Sequence, residues 1–112
     1  MPIMFGFARQ RRQMLEAELE RFIEEMPQLG LIKMWIYGDL SSGNVTPDSE
    51  LELVLLQVTD EPWHRRGDFW MSHLRPRVGS QFYVFTPEEF DSLSHIDPVL
   101  VETIKNGESV YG

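Results

Sequence analysis

Between residues 8 and 26 the apolar side chains recur every three or four positions, which is the spacing of one face of a helix. Acids and arginines occupy most of the positions between them. Pro27 ends the pattern because proline cannot continue a helix, and Gly30 follows as a turn residue. The pattern predicts an amphipathic helix over residues 8–26. Its apolar face is made by Leu15, Leu19, Phe22, Ile23 and Met26.

Three shorter apolar stretches have the composition of β-strands. Residues 31–37 and 81–85 are rich in aromatic and aliphatic side chains and are bounded by turn residues. Residues 51–58 are almost continuously apolar, which is typical of a strand buried on both faces. Residues 40–49, between the first two strands in the chain, are rich in Ser, Gly, Asn, Pro and Asp and predict a loop that can hold a short helical turn.

The remaining helices are marked by capping signals. Asp60 is a candidate N-cap for a helix that ends near Leu74. Thr86 is a stronger N-cap, because Pro87 follows it and Glu89 completes a capping box. A last helix is predicted over residues 98–105.

Helical and strand patterns alternate along the chain, which predicts an α/β (α+β) fold with a small mixed sheet and helices packed on it. A chain of 112 residues is long enough for one core, so we expect a single domain over residues 1–112.

The composition of the chain excludes several classes of function. The chain has no cysteine, which excludes disulfides and thiolate chemistry. It has no apolar run long enough to span a bilayer, and residues 1–7 lack a basic leader, so we expect a cytoplasmic protein. The net charge of −8 argues against broad DNA binding.

We weigh the basic and imidazole side chains as a possible second site. Four arginines fall within fifteen residues and predict either a solvated helix face or a docking surface for phosphate, RNA or an acidic partner. They are Arg65, Arg66, Arg75 and Arg77. The histidines lack the spacing of a helical metal pair and are expected to be surface or packing residues. They are His64, His73 and His95.

Two carboxylates stand out at the start of the most apolar strand. Glu50 and Glu52 are two residues apart, so in a strand they project from the same face, roughly 7 Å apart. Such a pair suits Mg²⁺ held against a phosphate, and the alternative is a solvated strand face. Ten residues separate these acids from the preceding Gly38-Asp39 turn.

This spacing resembles that of the nucleotidyltransferase fold family, in particular the small prokaryotic minimal nucleotidyltransferases. Residues 83–90 and 108–112 are similar to the third strand, its following helix and the C-terminal end of that family. The resemblance implies transfer of a nucleotidyl group from a nucleoside triphosphate to a hydroxyl, with Mg²⁺ as cofactor. It implies Glu50 and Glu52 as metal ligands and Gln81 at the position of a third catalytic acid.

The resemblance also assigns Gly38, Asp39 and Ser49 to nucleotide binding, but the chain departs from the family at three positions. Asp39 stands where the family has a serine that holds phosphate, and the two glutamates replace an Asp-x-Asp pair. Gln81 can neither carry negative charge nor act as a base. For Asp39 we weigh a turn residue that caps a short helix against an additional metal ligand.

These departures predict weak or lost transfer activity. The alternative is an inactive binding module, which by resemblance would be the antitoxin partner of a HEPN-domain protein or a homo-oligomer. A nucleotide sensor that binds without turnover is a third possibility.

Overall fold

The computed structural model describes the backbone of residues 2–112 and the side chains from Gly6 onward. Residue 1 and the side chains of residues 2–5 lie outside the described part, so the expectation for residues 1–7 stays a prediction. The elements, in chain order, are α1 (Pro2–Glu25), a 3₁₀ helix (Met26–Leu29), β1 (Leu31–Tyr37), α2 (Gly38–Ser42), β2 (Leu51–Gln57), α3 (Trp63–Leu74), β3 (Ser80–Phe85), α4 (Pro87–Ile96), α5 (Pro98–Asn106) and β4 (Ser109–Tyr111).

The four strands form one mixed sheet in the order β3-β2-β1-β4. Strand β1 is antiparallel to β2 and β4, whereas β2 and β3 are parallel. With helices packed on this sheet, the predicted α/β class is confirmed. Within residues 2–112, the structure contains no helix that is both long and apolar enough to cross a membrane.

Each face of the sheet carries its own core. The larger core joins α1 and α3 to one face, where Leu53 and Leu55 of β2 are fully buried beside Phe22 and Trp70. On the other face, α4 and α5 cover Val54 of β2. Strand β2 therefore sends alternate side chains into two cores, as its continuous apolar sequence predicts.

The starts of two helices differ from the predictions. Helix α1 begins at Pro2 rather than at residue 8, although burial among its described side chains begins only at Leu15. Apolar spacing marks only the part of a helix that packs on a core, so it could not find this start. Helix α3 has Pro62 as its N-cap, so Asp60 does not cap it. Instead the Thr59 hydroxyl accepts from the Glu61 N–H, which closes a turn ahead of the helix.

The predictions of a capping box at Thr86 and of a helical turn in the loop after β1 agree with the structure. Thr86 and Glu89 form the predicted capping box: the Glu89 N–H donates to Thr86 Oγ1 at 3.2 Å, and the Thr86 N–H donates to Glu89 Oε1 at 2.9 Å. The loop predicted over residues 40–49 has its short helical turn in α2, which begins two residues earlier, at Gly38. Strand β4 has no counterpart among the predicted elements, because three residues are too few for a periodic signal.

The four arginines differ in exposure. Arg66 belongs neither to a solvated helix face nor to a docking surface, the two predictions made for it. Arg66 is buried and donates from Nε to the Glu61 carbonyl and from Nη1 to the Val84 carbonyl. Its Nη2 pairs with Glu89 Oε2 at 3.0 Å, so a single guanidinium joins α3, β3 and α4. The other three arginines and all three histidines are exposed, and for the histidines this confirms the surface prediction.

We expect Glu89→Gln to lower the free energy of unfolding at pH 7 by about 1–2 kcal/mol, a value reduced for the partial exposure of Glu89. The hydrogen bond from Arg66 is the main cause that lowers the pKa of Glu89 to about 2. A depressed carboxyl pKa stabilises the fold above the unfolded range near ~4.3, and that stabilisation is lost as pH falls toward about 2.

The measurement is urea unfolding of wild type and Glu89→Gln between pH 7 and pH 2. The difference between them should shrink as pH falls. Glu88→Gln, an exposed neighbour in the same helical turn, is the matched control and should change little at any pH. A pH-independent difference for Glu89→Gln would contradict the ion pair as its source.

Candidate functional site

The sequence-derived site residues lie at one end of the sheet, around the first residues of β2. Glu50 precedes β2 and is exposed, while Glu52 lies within it and is half-buried. In the register of the sheet, Glu52 is opposite Tyr37 of β1 on one side and Gln81 of β3 on the other. The structure therefore places Glu50, Glu52 and Gln81 close to one another at this end of the sheet.

Glu52 is held by two neighbours. Its Oε1 accepts a hydrogen bond from the Tyr83 hydroxyl at 2.8 Å. Its other oxygen lies against the backbone of Gly38, where a Cβ on residue 38 would overlap the carboxylate. Gly38 also has φ +69°, a conformation that favours glycine. The glycine turn after β1 is thus covered by a carboxylate of the protein itself.

Glu50 turns in a different direction. Its Oε1 accepts from the Gln81 amide at 3.3 Å, and its side chain lies against Gly79, just before β3. Both glutamates therefore accept hydrogen bonds from neutral donors, an amide and a phenol. Among the described side chains, neither glutamate forms an ion pair.

Asp39 and Ser49 form a separate pair. The Ser49 hydroxyl donates to Asp39 Oδ2 at 2.7 Å and accepts from the Thr46 N–H at 2.8 Å. The prediction that the Asp39 carboxylate caps a short helix is wrong. The N-cap of α2 is Tyr37 and has no side-chain cap, because the Asp39 side chain, inside the first turn, bonds across the loop instead. Ser49 is buried, so this pair closes the loop onto the start of β2.

The arrangement does not fit a shared Mg²⁺. Two carboxylates supply the oxygen ligands that Mg²⁺ prefers, and Mg²⁺ demands near-octahedral geometry. Glu50 and Glu52, however, are turned toward different glycines and engage different donors. Across the part of the chain that the structure describes, no group of three or more His, Asp or Glu side chains could hold a metal ion.

Tyr83 is the site residue that the sequence analysis missed. Burial raises the pKa of Tyr83 to about 12, assisted by its hydrogen bond to Glu52 and by the nearby charge of Glu50. The phenol is therefore a hydrogen-bond donor throughout the physiological range. Its position two residues after Gln81, on the same strand face, was the signal available in the sequence.

An apolar cavity of about 230 Å³ opens beside these residues, between the sheet and α5. Its wall is formed by Tyr37, Val54, Tyr83, Phe85, Leu100 and Ile104. The rings of Tyr37 and Tyr83 meet edge to face, with centroids 6.0 Å apart. Because Tyr83 both lines the cavity and binds Glu52, a carboxylate stands at the edge of an aromatic pocket.

Comparisons of the chain with protein-family models, with curated proteins and with solved structures gave no match.

We expect Gly38→Ala to destabilise the fold more than Gly43→Ala does. Both glycines have positive φ, +69° and +83°, so alanine at either costs on the order of 1–2 kcal/mol of backbone strain. At Gly43 a Cβ would meet nothing within 4 Å, whereas at Gly38 it would overlap the Glu52 carboxylate. Thermal and urea unfolding of the two variants measure the difference, and equal losses would contradict the close approach of Glu52.

We expect Glu52→Gln to lower the pKa of Tyr83 from about 12, while burial keeps it above the ordinary ~10. A raised tyrosine pKa stabilises the fold below pH ~10, and this contribution is lost as pH rises toward about 12. Absorbance titration of phenolate, with Tyr83→Phe subtracted to isolate this one phenol, measures the shift. Glu24→Gln on α1 is the control, and an equal shift there would refute the Glu52 contact.

Proposed function

We propose that this protein is a nucleotidyltransferase-like binding module with weak or lost transfer activity, which acts in the cytoplasm through a protein partner. The observation that carries the proposal is the position of the Glu52 carboxylate against the Gly38 turn. In the family that the sequence resembles, this turn receives the phosphates of the nucleotide.

A carboxylate at that turn works against a polyphosphate. Two like charges about 4 Å apart repel by roughly 1 kcal/mol in water and roughly 4 kcal/mol at the effective dielectric near a protein surface. Asp39 adds a second negative charge in the same turn. Neither acid is neutralised by an ion pair among the described side chains. The electrostatics of the turn therefore favour a cation over a phosphate.

Gln81 supports the same conclusion from the other side of β2. An amide cannot accept a proton from an attacking hydroxyl, and here it donates to Glu50. Glu50 and Glu52 each accept a hydrogen bond from a neutral side chain, so the polar groups of the site bind one another.

By the same resemblance, the partner is a HEPN-domain protein, with the present chain as its antitoxin, or a second copy of the chain. A net charge of −8 suits a basic partner, because complementary charge speeds association and helps to select the partner. The third possibility, a nucleotide sensor, would require triphosphate binding without turnover.

Calorimetric titration with each nucleoside triphosphate, with and without Mg²⁺, tests the proposal. We expect no metal-dependent binding and no product from wild type. Glu50→Gln/Glu52→Gln should bind triphosphate at least as well as wild type, because the variant removes two repelling charges. Glu20→Gln/Glu24→Gln removes the same charge from α1 and is the matched control.

Two results would contradict the proposal. Mg²⁺-dependent triphosphate binding with product formation, lost in the Glu50→Gln/Glu52→Gln variant, would establish a working transferase. Recovery of the protein from its native cells only as a free monomer would contradict the proposed protein partner.

A further inference from the structure

We propose that the cavity beside Glu52 binds an arginine side chain of the protein partner. This inference rests on the proposed function, because it assumes that a protein partner exists. It adds the side chain by which that partner is recognised. Three features of the site carry it: an aromatic wall, a carboxylate at the edge, and the absence of an internal cation among the described side chains.

The cavity wall selects an occupant with an apolar body. All six lining residues are aliphatic or aromatic, and Val54 and Ile104 are each 2% exposed. A volume of about 230 Å³ is below the usual ~300–1,000 Å³ of drug-sized ligands, so a single side chain is a suitable occupant. The methylene stem of an arginine matches this wall.

The edge of the cavity selects a cationic head. Glu52 accepts only the Tyr83 hydroxyl among its described hydrogen bonds, whereas an ionised carboxylate can accept about four. A carboxylate at one end of an apolar cavity, with no described cation bound to it, is complementary to a positive charge.

Arginine suits these features better than lysine does. A guanidinium binds a carboxylate through two parallel hydrogen bonds and stacks on aromatic rings. The rings of Tyr37 and Tyr83 both line the cavity, and the Tyr83 hydroxyl bonds Glu52. A guanidinium is also more weakly hydrated than an ammonium, so it enters an apolar cavity at lower cost. The overall charge of −8 attracts a basic segment before contact.

The test uses the full chain and N-acetyl-arginine N-methylamide as the probe, followed by two-dimensional NMR. We expect saturable shifts of the signals of Tyr37, Val54, Tyr83 and Leu100. The matched citrulline compound, which has the same shape without the charge, should bind about tenfold or more weakly. Glu52→Gln should weaken arginine binding by a similar factor, and Glu24→Gln should leave it unchanged.

A second variant tests the cavity itself. Leu100→Phe adds volume at the cavity wall and should weaken binding with both glutamates intact. Val99→Phe, on the exposed side of the same helix, is its control. If Leu100→Phe does not fold, the comparison of wild type with Glu52→Gln decides the question alone.

Three results would overturn the inference: no saturable shift at the cavity, equal binding of the citrulline compound, or binding unaffected by Glu52→Gln. Butylguanidinium binding tenfold or more tightly than the arginine compound would assign the cavity to a small organic cation and refute the protein source. These results are separable from those on the proposed function. Triphosphate turnover overturns the binding-module proposal whether or not arginine binds, and failure of arginine to bind leaves the triphosphate result unchanged.

Discussion

The burial of β2 on both faces is the constraint on which the rest of the structure depends. Leu51, Leu53 and Leu55 enter one core and Val54 enters the other, and full burial of each such side chain contributes about 1.5–3 kcal/mol. A slip of one residue in register would exchange the two faces and turn Glu52 toward the larger core. The packing of β2 thus fixes where the two glutamates stand, whatever they bind.

Local signals in the sequence were sufficient wherever the structure is itself local. The capping box at Thr86 and the strand at Leu31–Tyr37 match their predictions, because each depends on a few adjacent residues. Arg66 was misassigned because its partner Glu89 is 23 residues away and its exposure depends on how α3 packs. The spacing within β3 shows only that Tyr83 shares a face with Gln81, whereas its contact with Glu52 depends on the register of β2 against β3.

The glutamate pair shows that a sequence motif can keep its spacing while its surroundings do not support the chemistry that the motif suggests. Its spacing predicts two carboxylates on one face of a strand, and that placement is present. What the pair can do depends on the groups around it, which are a phenol, an amide and two glycine backbones. A hydroxyl that stays protonated and a neutral amide stabilise the charged carboxylates without cancelling their charge. The site therefore keeps a negative potential, and this property underlies both proposals.

Arg66 has a consequence for how this protein meets other chains. Strand β3 is the outermost strand on its side of the sheet, and unpaired carbonyls on such a strand invite the addition of a foreign strand. The Arg66 guanidinium donates to the carbonyl of Val84 in this strand. The opposite edge, β4, offers only three residues. With one acceptor of β3 occupied by Arg66 and β4 short, both strands offer fewer free backbone groups for the addition of a foreign strand.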